Sequence, residues 1–326
     1  MSFPNISDIA ATTIEKRSRK IADNVSKNNA LLMKLNMRGN VRPFSGGELI
    51  YEELSFAENG NSGFYTGYDP LPIAAQDVIS AAEFSIKQLA TPVVMSGLEM
   101  LQNAGREKMI DLLEARMTVA EATQENKLAE SVYSDGTGSS GKEITGLGAA
   151  VPTAPTSGTY GGINRATFTF WQSEAYDSNS INAGALTSSN VQALMNHAWA
   201  RLVRGSERPD LIPMDATFWQ YYIASLQAQQ RFTSPEVGQL GFPTLKYMDA
   251  DCVLDGGIGG FCTTETAFML NTKYIFLRPH SARNHVPLSP GRRHSTNQDA
   301  EVQIIAWAGN MTCSGSQFQA RLHDST

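Results

Sequence analysis

The segment Ala129–Leu147, AESVYSDGTGSSGKEITGL, decides how this chain is read. Gly136 through Lys142 matches the phosphate-loop pattern G-x-x-x-x-G-K. A working phosphate loop needs a strand before it, a helix after it, and a Ser or Thr next to the Lys to hold magnesium. Here Arg106–Tyr133, upstream, reads as a long helix. The residue after Lys142 is Glu143, which would repel phosphate, and Ile144-Thr145-Gly146-Leu147-Gly148 does not open a helix. The run Gly-Thr-Gly-Ser-Ser-Gly has the composition of a flexible connection. A loop leaving a helix, with no nucleotide site, is therefore expected.

Working upstream, Leu98–Tyr133 carries the strongest helical pattern. Ile110, Leu113, Met117 and Ala120 recur at three- and four-residue steps, and Leu128 and Val132 continue the stripe less regularly. From Arg106 the rod would be roughly 40 Å long at ~1.5 Å per residue. Residues 41–95 change character: Gly46–Phe56 and Ile79–Leu89 read as strands, with Phe84 and Ile86 alternating with Glu83, Ser85 and Lys87. The stretch Glu58–Pro72 between them is rich in Gly, Asn, Pro and Tyr, which predicts a long hairpin with a wide tip. A lone hairpin is marginal in water, so a neighbouring subunit is a natural cover. Residues 1–40 form an arm. Ile6, Ile9, Ile14, Ile21 and Val25 sit at roughly helical spacing, and an amphipathic helix should end near Gly39, with Pro43 beyond.

Downstream, Val151–Gly162, VPTAPTSGTYGG, is the best candidate for a domain boundary. Helices are predicted over Ser188–Arg204, with Val191, Leu194, Met195, Ala198 and Leu202 inward and Gly205 as the stop, and over Asp215–Gln230, with Phe218, Trp219, Tyr222 and Leu226 inward. Cys252–Leu254, Thr266–Leu270 and Tyr274–Leu277 suit short strands, and Ala300–Ala308 with Thr312–Leu322 reads as a final strand pair.

Composition narrows the function. With 326 residues, 41% hydrophobic, the chain can bury one large or two modest cores. The net charge of −6 argues against a binder relying on a generally basic surface. Cys252, Cys262 and Cys313 form no CxxC and no metal spacing, and read as reduced core cysteines. No apolar run approaches 18 residues, so no membrane span is expected. His280 and His285 lack a third zinc ligand, and a surface or inter-subunit loop is the reading for that basic, Pro-rich stretch. Asp249, Asp251 and Asp255 lack calcium-loop spacing. No G-x-S-x-G elbow, nucleophile signature or carboxylate pair points to an enzyme, and no cofactor is expected.

The order of several segments resembles a known family. A helix, then YSDGTGSSGKEITGL, then Gly161-Gly162-Ile163-Asn164-Arg165-Ala166-Thr167 with Trp171 close behind, is similar to the middle of a tailed-bacteriophage major capsid protein. The resemblance continues in Asn271-Thr272-Lys273-Tyr274-Ile275-Phe276-Leu277-Arg278-Pro279-His280. It returns in Ser295–Ala300 and in Trp307-Ala308-Gly309-Asn310-Met311-Thr312, covering roughly residues 41 to 322.

The resemblance implies an α+β fold of the Hong Kong phage type. Its parts would be an N-terminal arm at 1–40, an E-loop hairpin at 41–95, a P-domain with spine helix at 96–150, an A-domain at 151–290, and return strands to the P-domain at 291–326. It implies a structural, non-enzymatic virion protein. Pentamers and hexamers would form an icosahedral shell around packaged DNA, assembled in the host cytoplasm. A separate scaffolding protein is expected because the arm begins almost at Met1. A portal, a decoration protein and weak, non-specific DNA contact are further implied partners. Some members cross-link an E-loop lysine to a neighbour; here that region holds only Lys87, near its base, so a shell without covalent cross-links is expected. An encapsulin-like compartment or another virion component, of tail or head completion, is the alternative.

Charge suggests where subunits meet. Residues 1–40 hold seven basic and three acidic residues, and 41–95 hold two basic and seven acidic. Glu48, Glu52, Glu53 and Glu58 of the hairpin are therefore expected over a neighbour's Lys16, Arg17, Arg19 and Lys20. Tyr65 and Tyr68 at the tip are further contact candidates. So is the basic loop carrying His280, Arg283, His285, Arg292, Arg293 and His294, at a ring or inter-ring contact rather than on DNA.

Overall fold

The computed structural model describes residues 29–71, 73–102, 106–226, 244–256, 260–288, 293–294 and 299–325. The stripe Ile6–Val25 lies outside them. Helix α1, Ala30–Met37, is capped by Asn29, whose side chain accepts from the amides of Leu31 and Leu32, and Gly39 follows it at φ 72°. Leu31, Leu32 and Leu35 are buried in the main core, so this end of the expected arm is an integral part of the body.

The hairpin forms as its alternation demands. Strands β1, Leu49–Ser55, and β2, Ile79–Ser85, pair antiparallel from Leu49↔Ser85 to Ser55↔Ile79. Ile50, Glu52, Leu54, Ala82 and Phe84 face the body, whereas Tyr51, Glu53 and Glu83 face out. The second expected strand does not run on to Leu89. It breaks at Ile86, and β3, Lys87–Ser96, pairs instead with β14, Ala300–Cys313. Asn310 sits at that fork: its Nδ2 donates to the Ser85 carbonyl at 2.8 Å and to Thr145 Oγ1 at 2.8 Å.

Strand β14 corrects a second expectation. Of the predicted pair, Ala300–Ala308 runs on without a turn to Cys313 as one continuous 14-residue strand, while the rest of Thr312–Leu322 holds a 3-10 turn, Ser316–Phe318, and the start of a separate strand at Ala320. Gly309 marks a close approach rather than a turn: a Cβ there would lie 2.4 Å from the Arg278 carbonyl oxygen. One flank of β14 takes β3. The other takes β11, Ile275–Pro279, β12, Val286–Pro287, and β13, Arg293–His294. Across this sheet runs the long helix α3, Arg106–Val132, with Met117, Ala120, Gln124, Leu128 and Val132 buried at three- and four-residue steps. The shorter α2, Gly97–Gln102, precedes it.

The turn after α3 is tight rather than flexible. Ser139 and Ser140 adopt left-handed backbone, at φ 52° and 60°. A Cβ on Gly146 would stand 2.4 Å from the Val132 carbonyl oxygen, so only glycine lets the chain recross the helix end. A single helical turn, Leu147–Ala150, then opens where none was expected.

The expected boundary at Val151–Gly162 is likewise packed. Its short strands β4, Thr159–Tyr160, and β5, Ile163–Asn164, close a turn whose Gly161 carbonyl accepts from the Glu83 amide. Tyr160 contacts Phe84, and Trp171 Nε1 donates to the Tyr160 carbonyl at 2.8 Å. These rings belong to the core that also holds α1 and the hairpin.

A second core lies on a six-stranded sheet. Its order is β6 (Glu174–Asp177), β15 (Ala320–His323), β10 (Thr266–Met269), β7 (Leu211–Met214), β9 (Ala250–Leu254) and β8 (Thr244–Tyr247). Helices α4, Val191–Leu202, and α5, Ala216–Leu226, cover it with the inward residues that periodicity selects, Leu226 being partly buried and 227–230 outside the described residues. Two memberships differ from expectation: β11 joins the β14 sheet, and β15 joins β10 and β6 instead of returning to β14.

Candidate assembly surfaces

The phosphate-loop match is filled by its own chain. Glu143 accepts from Ser134 Oγ at 2.8 Å and folds over Gly138, where a Cβ would meet its carboxylate oxygens at 2.3 and 2.5 Å. A carboxylate thus sits inside the loop, and a helix precedes it. The three cysteines are buried, and burial pushes their thiols up, that of Cys313 to about 11, away from the reactive thiolate. Asp249 pairs with Arg208, Asp251 with Lys34, and Asp255 accepts from the Tyr133 hydroxyl, so these carboxylates serve three separate contacts. Among the described residues no three His, Cys, Asp or Glu side chains form a metal-binding group, and no helix is long and apolar enough to cross a membrane.

The unusual surface is the hairpin tip. Phe64, Tyr68 and Ile73 are 111%, 104% and 92% exposed, as free as in an extended chain, and Tyr65 is 65% exposed. The tip is shaped by local polar contacts. Asn61 Nδ2 donates to the Ala74 carbonyl at 2.5 Å, and the Thr66 amide and hydroxyl both donate to Asp69, which holds that carboxyl below its usual range. An ordered projection carrying uncovered aromatic and aliphatic side chains is the signature of a contact surface.

Two concavities lie between β3 and α3. One, about 470 Å³, is lined by Thr91–Val94 with Arg116, Val119, Ala120 and Thr123. Pro92 offers no amide and Arg116 Nη1 donates to the Val94 carbonyl at 2.6 Å, so this stretch is blunted against addition of another strand. The other, about 350 Å³, is lined by Lys87, Lys127, Lys142, Glu130 and Glu143 among others.

The sequence candidates divide. Glu48, Glu53 and Glu58 are exposed, as are Tyr65 and Tyr68. Glu52 is not available to a neighbour: it is buried and accepts from Arg278 Nε at 2.6 Å and Thr312 Oγ1 at 2.8 Å. Period-two alternation with Ile50 and Leu54 was the signal that separates it from Glu53. Arg278, which sequence reasoning passed over, is the cation that holds it. Arg283 is exposed and donates to Gln88 Oε1 at 3.1 Å within the chain. Lys16, Arg17, Arg19, Lys20 and Arg292 lie outside the described residues, and Arg293 pairs through its backbone with Val302.

His285 corrects the reading of its loop as surface. It is buried, at φ 55°, its Nδ1 has no partner, and burial pushes the imidazole down to about 4. The unfolded chain takes up this proton near 6.5, whereas the folded chain resists until about 4. Acidification through that window therefore removes stability, about 3 kcal/mol when complete. His285→Asn tolerates the left-handed backbone without a titrating ring. Its melting temperature should fall less than that of the parent between pH 6.5 and 4; an unchanged acid limb would rule out His285 as the cause.

No protein-family model matches the chain, and no curated protein matches its sequence. Solved structures do match in fold. A chain of the cyanophage A-1(L) capsid asymmetric unit superposes with a TM-score of 0.62 at 16% identity, covering 89% of this chain and 92% of its own. A chain of the capsid of an empty GTA particle gives 0.57 at 11% identity, covering 89% and 90%. A Mycobacterium phage Bobi chain gives 0.55 at 8% identity, covering 91% of each. The α+β fold of this protein is the phage capsid fold.

Proposed function

We propose that this protein is the major capsid protein of a tailed bacteriophage, a structural subunit and not an enzyme. The observation that carries the reading is the ordered hairpin with an uncovered apolar tip, on a body whose fold is that of capsid chains. A contact that leaves one body and ends on the next is heterologous, and heterologous contacts close into rings when the rotation allows. Rings of five and six would then tile an icosahedral shell around DNA, which is held weakly because the chain is acidic overall. Residues 1–40 are the arm, its end at α1 packed into the body, 41–95 the E-loop and its base, and α3 the spine. The β14 sheet and α3 form the peripheral body, and the six-stranded sheet with α4 and α5 forms the axial one. A separate scaffolding protein, a portal and a decoration protein complete the proposed set, with assembly in the host cytoplasm. An encapsulin-like shell shares the reading up to its contents; copurified DNA or cargo protein separates the two.

Light scattering of the purified protein, with and without phage scaffold, tests this. Particles far above monomer mass support it; a monomer under every condition opposes it. Lys87, the hairpin region's lysine, donates to the Gly141 carbonyl at 2.5 Å, which favours shells free of covalent links. Boiled particles should run as single subunits on a denaturing gel, and a ladder would contradict this.

A further inference from the structure

The cavity of about 350 Å³ beside the helix end gathers three ammonium groups from three elements: Lys87 at the start of β3, Lys127 in α3, and Lys142 in the glycine turn. One of its two carboxylates is held in an ion pair, the other by a hydroxyl. Glu130 pairs with Lys127 at 2.7 Å, and Glu143 accepts from Ser134 Oγ. Lys87 meets only a carbonyl oxygen, and Lys142 is exposed with no ion pair among the described residues. Glu143 keeps its charge in that hydrogen bond, so three lysines against two glutamates leave the cavity a net charge of +1.

The outward face of the hairpin shows the reverse imbalance. Glu83 stands opposite Tyr51 and Glu53 opposite Ala81, which makes the two glutamates diagonal neighbours on one exposed face, at positions roughly 7–8 Å apart. Like charges at that spacing repel, yet neither has a cation partner among the described residues. In one chain the arrangement is unfavourable on both sides; between two chains it is complementary.

We propose that the Lys87–Lys127–Lys142 cavity is a socket for the carboxylates Glu53 and Glu83 of a second copy of this chain. The proposal rests on the assembling-subunit reading above. Pairing of this kind sets which copy is accepted and in what register, more than how tightly the bodies adhere. It also gives a role to the turn that imitates a phosphate loop: its left-handed residues place Lys142 at the cavity rim.

Reciprocal charge reversal tests it on the full chain. Lys142→Glu alone, and Glu53→Lys with Glu83→Lys, should each raise the protein concentration at half-assembly about tenfold, as loss of a close interfacial charge pair does. All three together should return it to within about threefold of the parent. Lys142→Ala should fall between, which separates lost attraction from new repulsion. Parent-like assembly of both reversals, or a combined variant no better than the worse of them, would overturn the socket while leaving the shell reading intact. A parent protein that never assembles would instead remove the reading beneath both.

Discussion

Replacing Phe64, Tyr68 and Ile73 together by serine is expected to abolish particle formation while leaving the monomer fold untouched. These side chains are fully exposed within one chain and touch no core, so the folded monomer loses nothing by their removal. Exposed substitutions of this kind shift stability by about 0.5 kcal/mol or less each, so the three together move the melting temperature by at most about 5 °C. Burial of each side chain at a contact is worth about 1.5–3 kcal/mol. The three together contribute roughly 5 kcal/mol or more per contact, which is over three orders of magnitude in affinity. A shell repeats the contact in every subunit, so a loss of that size is enough to leave free subunits. The paired readout matters: sedimentation should show only small species while calorimetry shows a transition within about 5 °C of the parent's. Particles at the parent's yield would mean that the tip stays solvated in the assembly.

The second large effect belongs inside the subunit. Glu52→Ala should destabilise the fold by about 3–5 kcal/mol, the range for removing one partner of a buried ion pair. The loss leaves the Arg278 guanidinium, whose side chain is 19% exposed, facing Phe276 and the Thr312 hydroxyl without its carboxylate. Because Glu52 lies on β1 and Arg278 on β11, the pair ties the hairpin base to the β14 sheet. The variant should therefore loosen the hairpin first, seen as faster amide exchange at Ile50, Leu54 and Phe84 than in α4. Glu52→Leu combined with Arg278→Met should recover much of the loss, since apolar replacement of both partners avoids an uncompensated charge. Denaturant unfolding measures each step. A Glu52→Ala loss below about 1 kcal/mol would show that the pair is solvated like a surface salt bridge.

How much was legible beforehand follows from the kind of signal each element carries. Helix α4 and α5 could be read residue by residue, because Leu194, Met195 and Ala198 repeat a period that only a helix satisfies. The hairpin was legible through a different period, the two-residue alternation around Phe84, although the same alternation carried its second strand past the break at Ile86. Strand β14 was not, because both its faces are covered from Ile305 onward and alternation disappears there. Its Gly309-Asn310 then imitates a turn, although the glycine serves a close approach and the asparagine a three-way hydrogen-bond fork. The stretch 151–162 has linker composition, yet Tyr160 anchors it under Trp171, a contact that no local pattern encodes. Treating the hairpin glutamates as one acidic set hid Glu52, whose partner lies 226 residues away in sequence. The socket was hidden similarly: Lys87, Lys127 and Lys142 are unremarkable until the fold brings β3, the end of α3 and the glycine turn to one cavity.

The central claim is that identical copies of this chain close into a shell, with the hairpin of one seated on the next. Electron cryo-microscopy of the protein purified from cells that express it, with its scaffold if one is required, reads that directly. The account predicts uniform polyhedral particles built of five- and six-membered rings, with residues 56–78 of each subunit lying on a neighbouring subunit. Open filaments, or rings in which that hairpin folds back onto its own subunit, would contradict it.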